Sequence, residues 1–404
     1  MKRYLNFTFI FIIIVFIIFL ISPYVFKYHR YFKRTLQKEI EYVITKVENY
    51  HIGRFFNSSF KIEIPEISKM MNRYEFYRFL SEKLNYFPDV YLEIPYQYKT
   101  TKLLPFDIRF FNNSFVVINT SCNIPNDAII RKINGQNIED IYLDFAASLP
   151  GENMYIKKHN FAVFIFPIIP DFYKKNKFEV EYEFKGMVYK ETVESITYQE
   201  YLGKLKLKAF EYRKINKDIG ILKVNHFNVA GKDFFTMLEL LENISKDEVK
   251  TLLIDMRGSI GLVRDFSGVY MLLSFITDKP HYISDKIYYA FGDNLIKYEK
   301  YGYVYPNEIN FSNKRLFFIS DKSIAHPLPA MVLAFVKKWK LGIIVGKEPA
   351  HPVNFYGVMK EFTTQWTGLK VLIPTWYFEN YIKDYVEPDI KIPGDYLNYI
   401  MTNF

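Results

Sequence analysis

Asp255, Arg257, Gly258, Ser259 and Gly261 close the apolar run VKTLLIDMRGSIG (249–261), and this grouping is the first place to look for chemistry. Val249, Leu252, Leu253, Ile254 and Met256 fit a strand buried on both faces of a parallel sheet. The acid and the base then sit at its carboxyl end, where open α/β sheets place ligands. Gly258, Ser259 and Gly261 would let backbone N–H groups point into a cleft. Two plainer readings stand beside this one. The segment also fits an ordinary strand-to-helix turn, and Asp255 with Arg257 fits a buried ion pair.

A second group, Asp321, Ser323 and His326, lies within six residues and has the side-chain types of a nucleophilic triad. Neighbours on one loop rarely converge, and Pro327 and Pro329 restrict the backbone around them. The expectation is therefore a turn with a helix-entry proline, with Ser323 kept as the fallback nucleophile. His226 follows a strand and reads as a satisfied polar side chain. His281 and His351 adjoin Pro280 and Pro352, and neither has a second histidine at ligand spacing, so no metal is expected. The chain has no Gly-rich phosphate loop, CxxC or HExxH, so no cofactor is expected either.

These groups need elements to hold them. IGILKVNHF (219–227, with Asn225 and His226 near its end) reads as a strand. Residues 232–246 place Phe234, Met237, Leu238, Leu241 and Ile244 on one helical stripe, the strand ending at Asp255 follows, and 265–277 form another apolar helix. That order predicts an α/β core with a mostly parallel sheet. Upstream, LQKEIEYVITKVENY (36–50) sets Leu36, Ile40, Val43, Ile44 and Val47 at helix spacing, and FEVEYEFKGMVYKETVE (178–194) reads as a hairpin around Lys185-Gly186. The class is α/β, mixed α+β overall, with 1–30 an anchor, 31–98 helical, 99–199 β-rich and 200–404 the α/β core.

The ordered set of motifs resembles the tail-specific, or C-terminal-processing, serine peptidases, which include the tricorn core. That family runs a hydrophobic strand into Asp-x-Arg-x-Asn-x-Gly-Gly and then a helix, whereas Ser259 and Leu262 stand here at the Asn and second Gly places. LFFISDKSIAHPLPAMVLAF (316–335) is similar to the strand, turn and helix that carry the nucleophile, LGIIVGKEP (341–349) to the strand after it, and VEPDIKIP (386–393) to the closing segment. AIIRKINGQNI (128–138) resembles a PDZ strand with its Asn-Gly turn, so the resemblance makes 99–199 a PDZ-like domain. It also implies peptides or protein C-termini as partners.

The departures fall on the chemistry. The family's serine aligns with His326, Pro327 or Leu328, depending on a gap of one or two residues. A lysine base would fall near His351 to Val353, where no lysine stands. A histidine base would fall on Tyr91 of Asp89-Val90-Tyr91. Acyl transfer needs a nucleophile and a base within hydrogen-bond reach, and the resemblance supplies neither.

At 404 residues there is room for two or three domains. Of the net charge of +9, seven units are carried by the first 38 residues, where Lys2, Arg3, Lys27, Arg30, Lys33, Arg34 and Lys38 face no acid. The remaining 46 basic residues are matched by 44 acidic ones, which excludes the basic face of a nucleic-acid-binding domain. The early charges flank Leu5–Phe26, with thirteen uninterrupted apolar residues from Phe9 to Ile21. That length suits a single membrane span, and the bulky Ser22-Pro23-Tyr24-Val25-Phe26 lacks a small-residue cleavage site. The basic residues after the span favour a cytoplasmic body, while the n-region and the resemblance favour an extracytoplasmic one, which is the expectation. The lone Cys122 excludes an internal disulfide. Three readings follow: a membrane-anchored pseudo-peptidase, an active hydrolase using Ser323, and a structural envelope protein with a vestigial cleft.

Overall fold

The computed structural model describes residues 29–392 except 58–59, 86, 88, 94–100, 206, 230, 262–264 and 383, together with 399, 400 and 402. The span expected at 5–26 lies outside these residues. Among the described residues no helix is long and apolar enough to cross a membrane.

The first helix, α1 (Lys33–Tyr50), buries Leu36, Ile40, Val43, Ile44 and Val47, the stripe that its periodicity predicts. Glu39 is buried on the same face because the 366–367 turn satisfies it. Its carboxylate accepts the Trp366 N–H, the Thr367 N–H at 3.0 Å and the Thr367 hydroxyl at 2.6 Å. α2 (Arg73–Leu84) starts at a capping box in which Asn72 and Glu75 each bind the other's backbone N–H. A short strand, β1 (Tyr91–Glu93), follows.

Five antiparallel strands come next: β2 (Phe106–Phe111), β3 (Ser114–Thr120), β4 (Ile129–Ile133), β5 (Lys177–Phe184) and β6 (Met187–Glu194), paired in that order. After β4 the chain turns at Asn134 and Gly135, both at positive φ (51° and 80°), a conformation this dipeptide tolerates. α3 (Ile138–Ala146) and α4 (Met154–Asn160) lie between β4 and β5 in the chain. Ile40, Leu80, Phe106, Phe161, Val180 and Val371 belong to one hydrophobic cluster, so the N-terminal helices and this sheet share a core.

The α/β region is built from β7 (Phe210–Lys214), β8 (Ile219–Val224), α5 (Lys232–Lys246), β9 (Thr251–Asp255) and α6 (Ser267–Ile276). It continues through the hairpin β10 (His281–Phe291) and β11 (Asn294–Val304), then β12 (Arg315–Ser320), α7 (Pro327–Trp339) and β13 (Ile343–Gly346). β14 (Phe355–Thr363), β15 (Lys370–Glu379) and β16 (Ile390–Lys391) close it. One sheet has the order β7-β8-β9-β12-β13-β16, antiparallel only between β7 and β8. β9 is central and buried on both faces. Leu252 and Ile254 pack toward α5, α6 and α7, and Leu253 packs with Phe317, Ile319 and Val345 on the other side.

The expectation of a mostly parallel sheet describes this sheet alone. Across the described residues the sheets are mostly antiparallel, because β10, β11, β14 and β15 form a second sheet that recruits β1. Those strands carry aromatic residues on both faces, Tyr288 and Tyr289 side by side, so no polar–apolar alternation marks them.

Candidate active-site cleft

The turn after β9 is tied down by charge. Asp255 is buried, and its carboxylate accepts Arg257 Nε at 2.8 Å, Arg257 Nη2 at 2.9 Å and the Arg257 N–H at 3.1 Å. Lys223 Nζ stands 3.3 Å from the same carboxylate. Burial alone would raise the Asp255 pKa, but the Lys223 charge and the Arg257 bonds outweigh it and hold the group well below the usual carboxylate range. The ion-pair reading of Asp255 and Arg257 therefore describes the geometry.

Gly258 sits at φ 65°, and a Cβ there would meet Arg109 Cδ at 3.0 Å. Its N–H donates to Ser323 Oγ at 2.8 Å. The Ser259 N–H donates to Met256 C=O at 3.1 Å and the Ile260 N–H to Asn225 C=O at 2.9 Å. Three consecutive N–H groups of the turn expected to open into a cleft are thus engaged by protein acceptors. Gly261 has a packing role as well, since a Cβ there would lie 2.8 Å from Leu328 Cβ.

Asp321 and Ser323 do converge, through local backbone chemistry. Asp321 Oδ1 accepts the Ser323 N–H at 2.8 Å, an Asx turn, and also accepts the Ser323 hydroxyl. Burial raises the Asp321 pKa, while the bonds from Ser323 act in the opposite direction. Both residues border an open cavity of ≈ 270 Å³ with Tyr155, Lys322 and Lys347.

His326 does not join them in a hydrogen bond. Its ring packs edge-on against His159 at a centroid distance of 4.7 Å, and none of the four ring nitrogens of this pair has a hydrogen-bond partner. Burial first, then Arg109, pushes His159 down to about 3. Burial, then His159, His351 and Arg109, holds His326 well below the usual imidazole range. Both rings are neutral and buried in the core.

Pro327 occupies the first turn of α7, where its missing N–H costs nothing, and Leu328 is fully buried. Pro327 and Tyr91 line one narrow cleft. The cleft holds only ≈ 30 Å³ and is also lined by Asp89, Glu152, His351 and Tyr356. Among the described residues that line it there is no serine, threonine or cysteine. His351 Nδ1 lies 2.7 Å from Pro352 C=O and so carries the proton there, and burial lowers its pKa to about 4.

Three groups around the cleft escape sequence reasoning. His51 Nδ1 accepts the Gly53 N–H at 2.9 Å, so its Nε2 donates to Asp89 Oδ2 at 3.1 Å, and its ring packs against Tyr356. Arg109 from β2 reaches the Gly258 turn and donates to Asn225 C=O at 3.2 Å. His159 comes from α4. Each lies far in sequence from the motif it contacts, so no local spacing announces it. His226 Nε2 bonds Leu207 C=O at 3.2 Å while its Nδ1 has no partner. Among the described residues no three His, Cys, Asp or Glu side chains gather as a metal-holding group.

No protein-family model matches the sequence, and no curated protein does. Solved structures do match. A serine-to-alanine mutant of CPAF aligns with a TM-score of 0.61 at 10% identity, covering 89% of this chain and 93% of that one. Mature CPAF complexed with lactacystin gives 0.59 at 11%, covering 89% and 94%. The photosystem II D1 C-terminal processing protease gives 0.51 at 12%, covering 89% and 93%. The chain has the fold of the C-terminal-processing peptidases.

Proposed function

We propose that this chain uses a C-terminal-processing peptidase fold to bind peptides or protein tails without cleaving them. The observation that carries the reading is the Tyr91–Pro327 cleft, whose described lining contains no serine, threonine or cysteine. Covalent acyl transfer requires a nucleophile beside its base. Here a proline opens the helix, a tyrosine faces it, and His351 has no serine or threonine in the cleft from which to take a proton. Capture is supported by an open cavity of ≈ 500 Å³ on the sheet of β2 to β6, where Phe115, Ile129 and Ile138 sit beside Arg131 and Lys132. That mixture suits an extended segment with apolar side chains. The run at 5–26 would tether the body to a membrane, with the body outside the cytoplasm.

A hydrolase built on Ser323 is the competing reading, favoured by its contact with Asp321 beside an open cavity. Against it, the Gly258 N–H donates to Ser323 Oγ itself, where an oxyanion donor would have to face a substrate oxygen. The test is to treat the purified full chain with a fluorophosphonate probe and with unfolded protein substrates, beside Ser323→Ala. The expected result is neither labelling nor cleavage, with peptide binding measured by fluorescence anisotropy. Cleavage abolished by Ser323→Ala would overturn the proposal. Absence of both cleavage and binding would favour a structural protein with a vestigial cleft.

A further inference from the structure

The outer edge of the mixed sheet, remote in the strand order from the cleft described above, is an open strand beside a groove. β7 is the first strand of its sheet and pairs only with β8 among the described residues. The bonds at the two ends of that ladder set its alternation. Asn225 N–H donates to Ala209 C=O at 2.8 Å and Ile215 N–H to Ile219 C=O at 2.9 Å. Odd-numbered residues therefore bond inward to β8, and Phe210, Tyr212 and Lys214 turn their backbone N–H and C=O groups to the free edge. Such an edge is a template for one more strand.

Beside it, β7 and α5 enclose a cavity of ≈ 610 Å³. Leu207, Phe210, Met237 and Leu240 provide its apolar walls. Its charged lining is Glu211, Asp233 and Glu239 against the single Lys208. A free edge supplies main-chain hydrogen bonds, an apolar groove receives alternate side chains, and an acidic rim selects for positive charge.

From this juxtaposition we infer that β7 and α5 form a second peptide site, which takes an extended segment with alternating apolar and basic side chains as an added strand. The inference goes beyond the proposed function, because it concerns a different sheet edge and does not depend on whether the cleft cleaves.

The probe is a fluorescein-labelled peptide of about ten residues alternating Lys and Val, with a Glu and Val analogue as its control. Binding to the full chain is followed by anisotropy, and the site by amide hydrogen exchange. The expected result is saturable binding of the lysine peptide with slowed exchange across 210–214. The glutamate analogue should bind at least about tenfold more weakly.

Lys214→Pro removes one outward N–H while keeping the inward bonds of residues 211 and 213, and should weaken binding by at least about tenfold. Glu239→Lys, on the exposed face of α5, should weaken the lysine peptide by about fivefold and favour the glutamate analogue. A thermal melt of each variant confirms folding. Failure to bind, binding unaffected by Lys214→Pro, or protection confined to 113–140 would overturn the inference. Equal binding of both peptides would overturn its charge selection. A dimer of the full chain abolished by Lys214→Pro would assign the edge to a second copy instead.

Discussion

The turn after β9 and the entry to α7 face each other, yet their polar groups are treated in opposite ways. At the turn the charges are paired, Asp255 with Arg257 and Lys223, and the Gly258 N–H donates to Ser323 Oγ, while the buried Ser259 hydroxyl has no partner. At the entry, His326 and His159 present four ring nitrogens without partners, kept neutral by burial. The first arrangement derives stability from charge, and the second keeps groups that would have to be desolvated at a cost if they became charged. A peptidase needs the reverse emphasis, with titratable groups accessible where bond making occurs.

The strongest way to break this contrast is at the strand beneath the turn. Leu253 is fully buried between β8 and β12, so Leu253→Asp places an unpaired carboxylate in the core. The expected cost is several kcal/mol against a typical stability of about 5–15 kcal/mol. A chain that does not fold cooperatively is the expected outcome, read by circular dichroism during a thermal melt. An unchanged midpoint would show that β9 is not central.

The next effect tests the paired side. Asp255→Ala leaves Arg257 and Lys223 without their shared carboxylate and is expected to destabilise by about 3 kcal/mol in urea. A loss below about 1 kcal/mol would mean that the network behaves as an exposed salt bridge.

Acidification tests the unpartnered side. The folded-state pKa of His159 is pushed down to about 3, below its unfolded value of about 6.5. The stability tied to its neutrality is intact above pH 6.5 and is lost as pH falls below it. At pH 5 that loss is about 2 kcal/mol. His159→Phe should flatten the pH dependence measured by urea unfolding between pH 7.5 and 5, and an unaltered slope would place the titration elsewhere. The smallest effect is expected at the junction of the two regions. Ser323→Ala removes the acceptor of the Gly258 N–H and should cost about 1–2 kcal/mol. An intact melt would show that water replaces the hydroxyl.

What could be read from the residues followed from local physics. The β8–α5–β9–α6 order appears as apolar runs and a 3.6-residue stripe, and the Asn134-Gly135 turn as a dipeptide suited to positive φ. The Asp321–Ser323 contact was also local. It fits the turn expected there, since Asp-x-Ser after a strand is first an Asx turn. The antiparallel sheet was hidden by its tyrosines on both faces. The His159–His326 pair joins two helices far apart in sequence, and only packing brings them together.

Glu39 carries a consequence for reach. By fixing α1 to the 366–367 turn, its buried carboxylate makes that helix part of the rigid body and leaves no hinge between them. If residues 5–26 are the anchor, the slack available to the body is the four residues from 27 to 30, about 14 Å when fully extended, because the Tyr31 N–H already donates to Met71 C=O at 2.9 Å. A protein tethered so closely would sample only what lies near the bilayer surface. Within that layer its effective concentration toward a membrane-bound partner would be high even if each contact were weak.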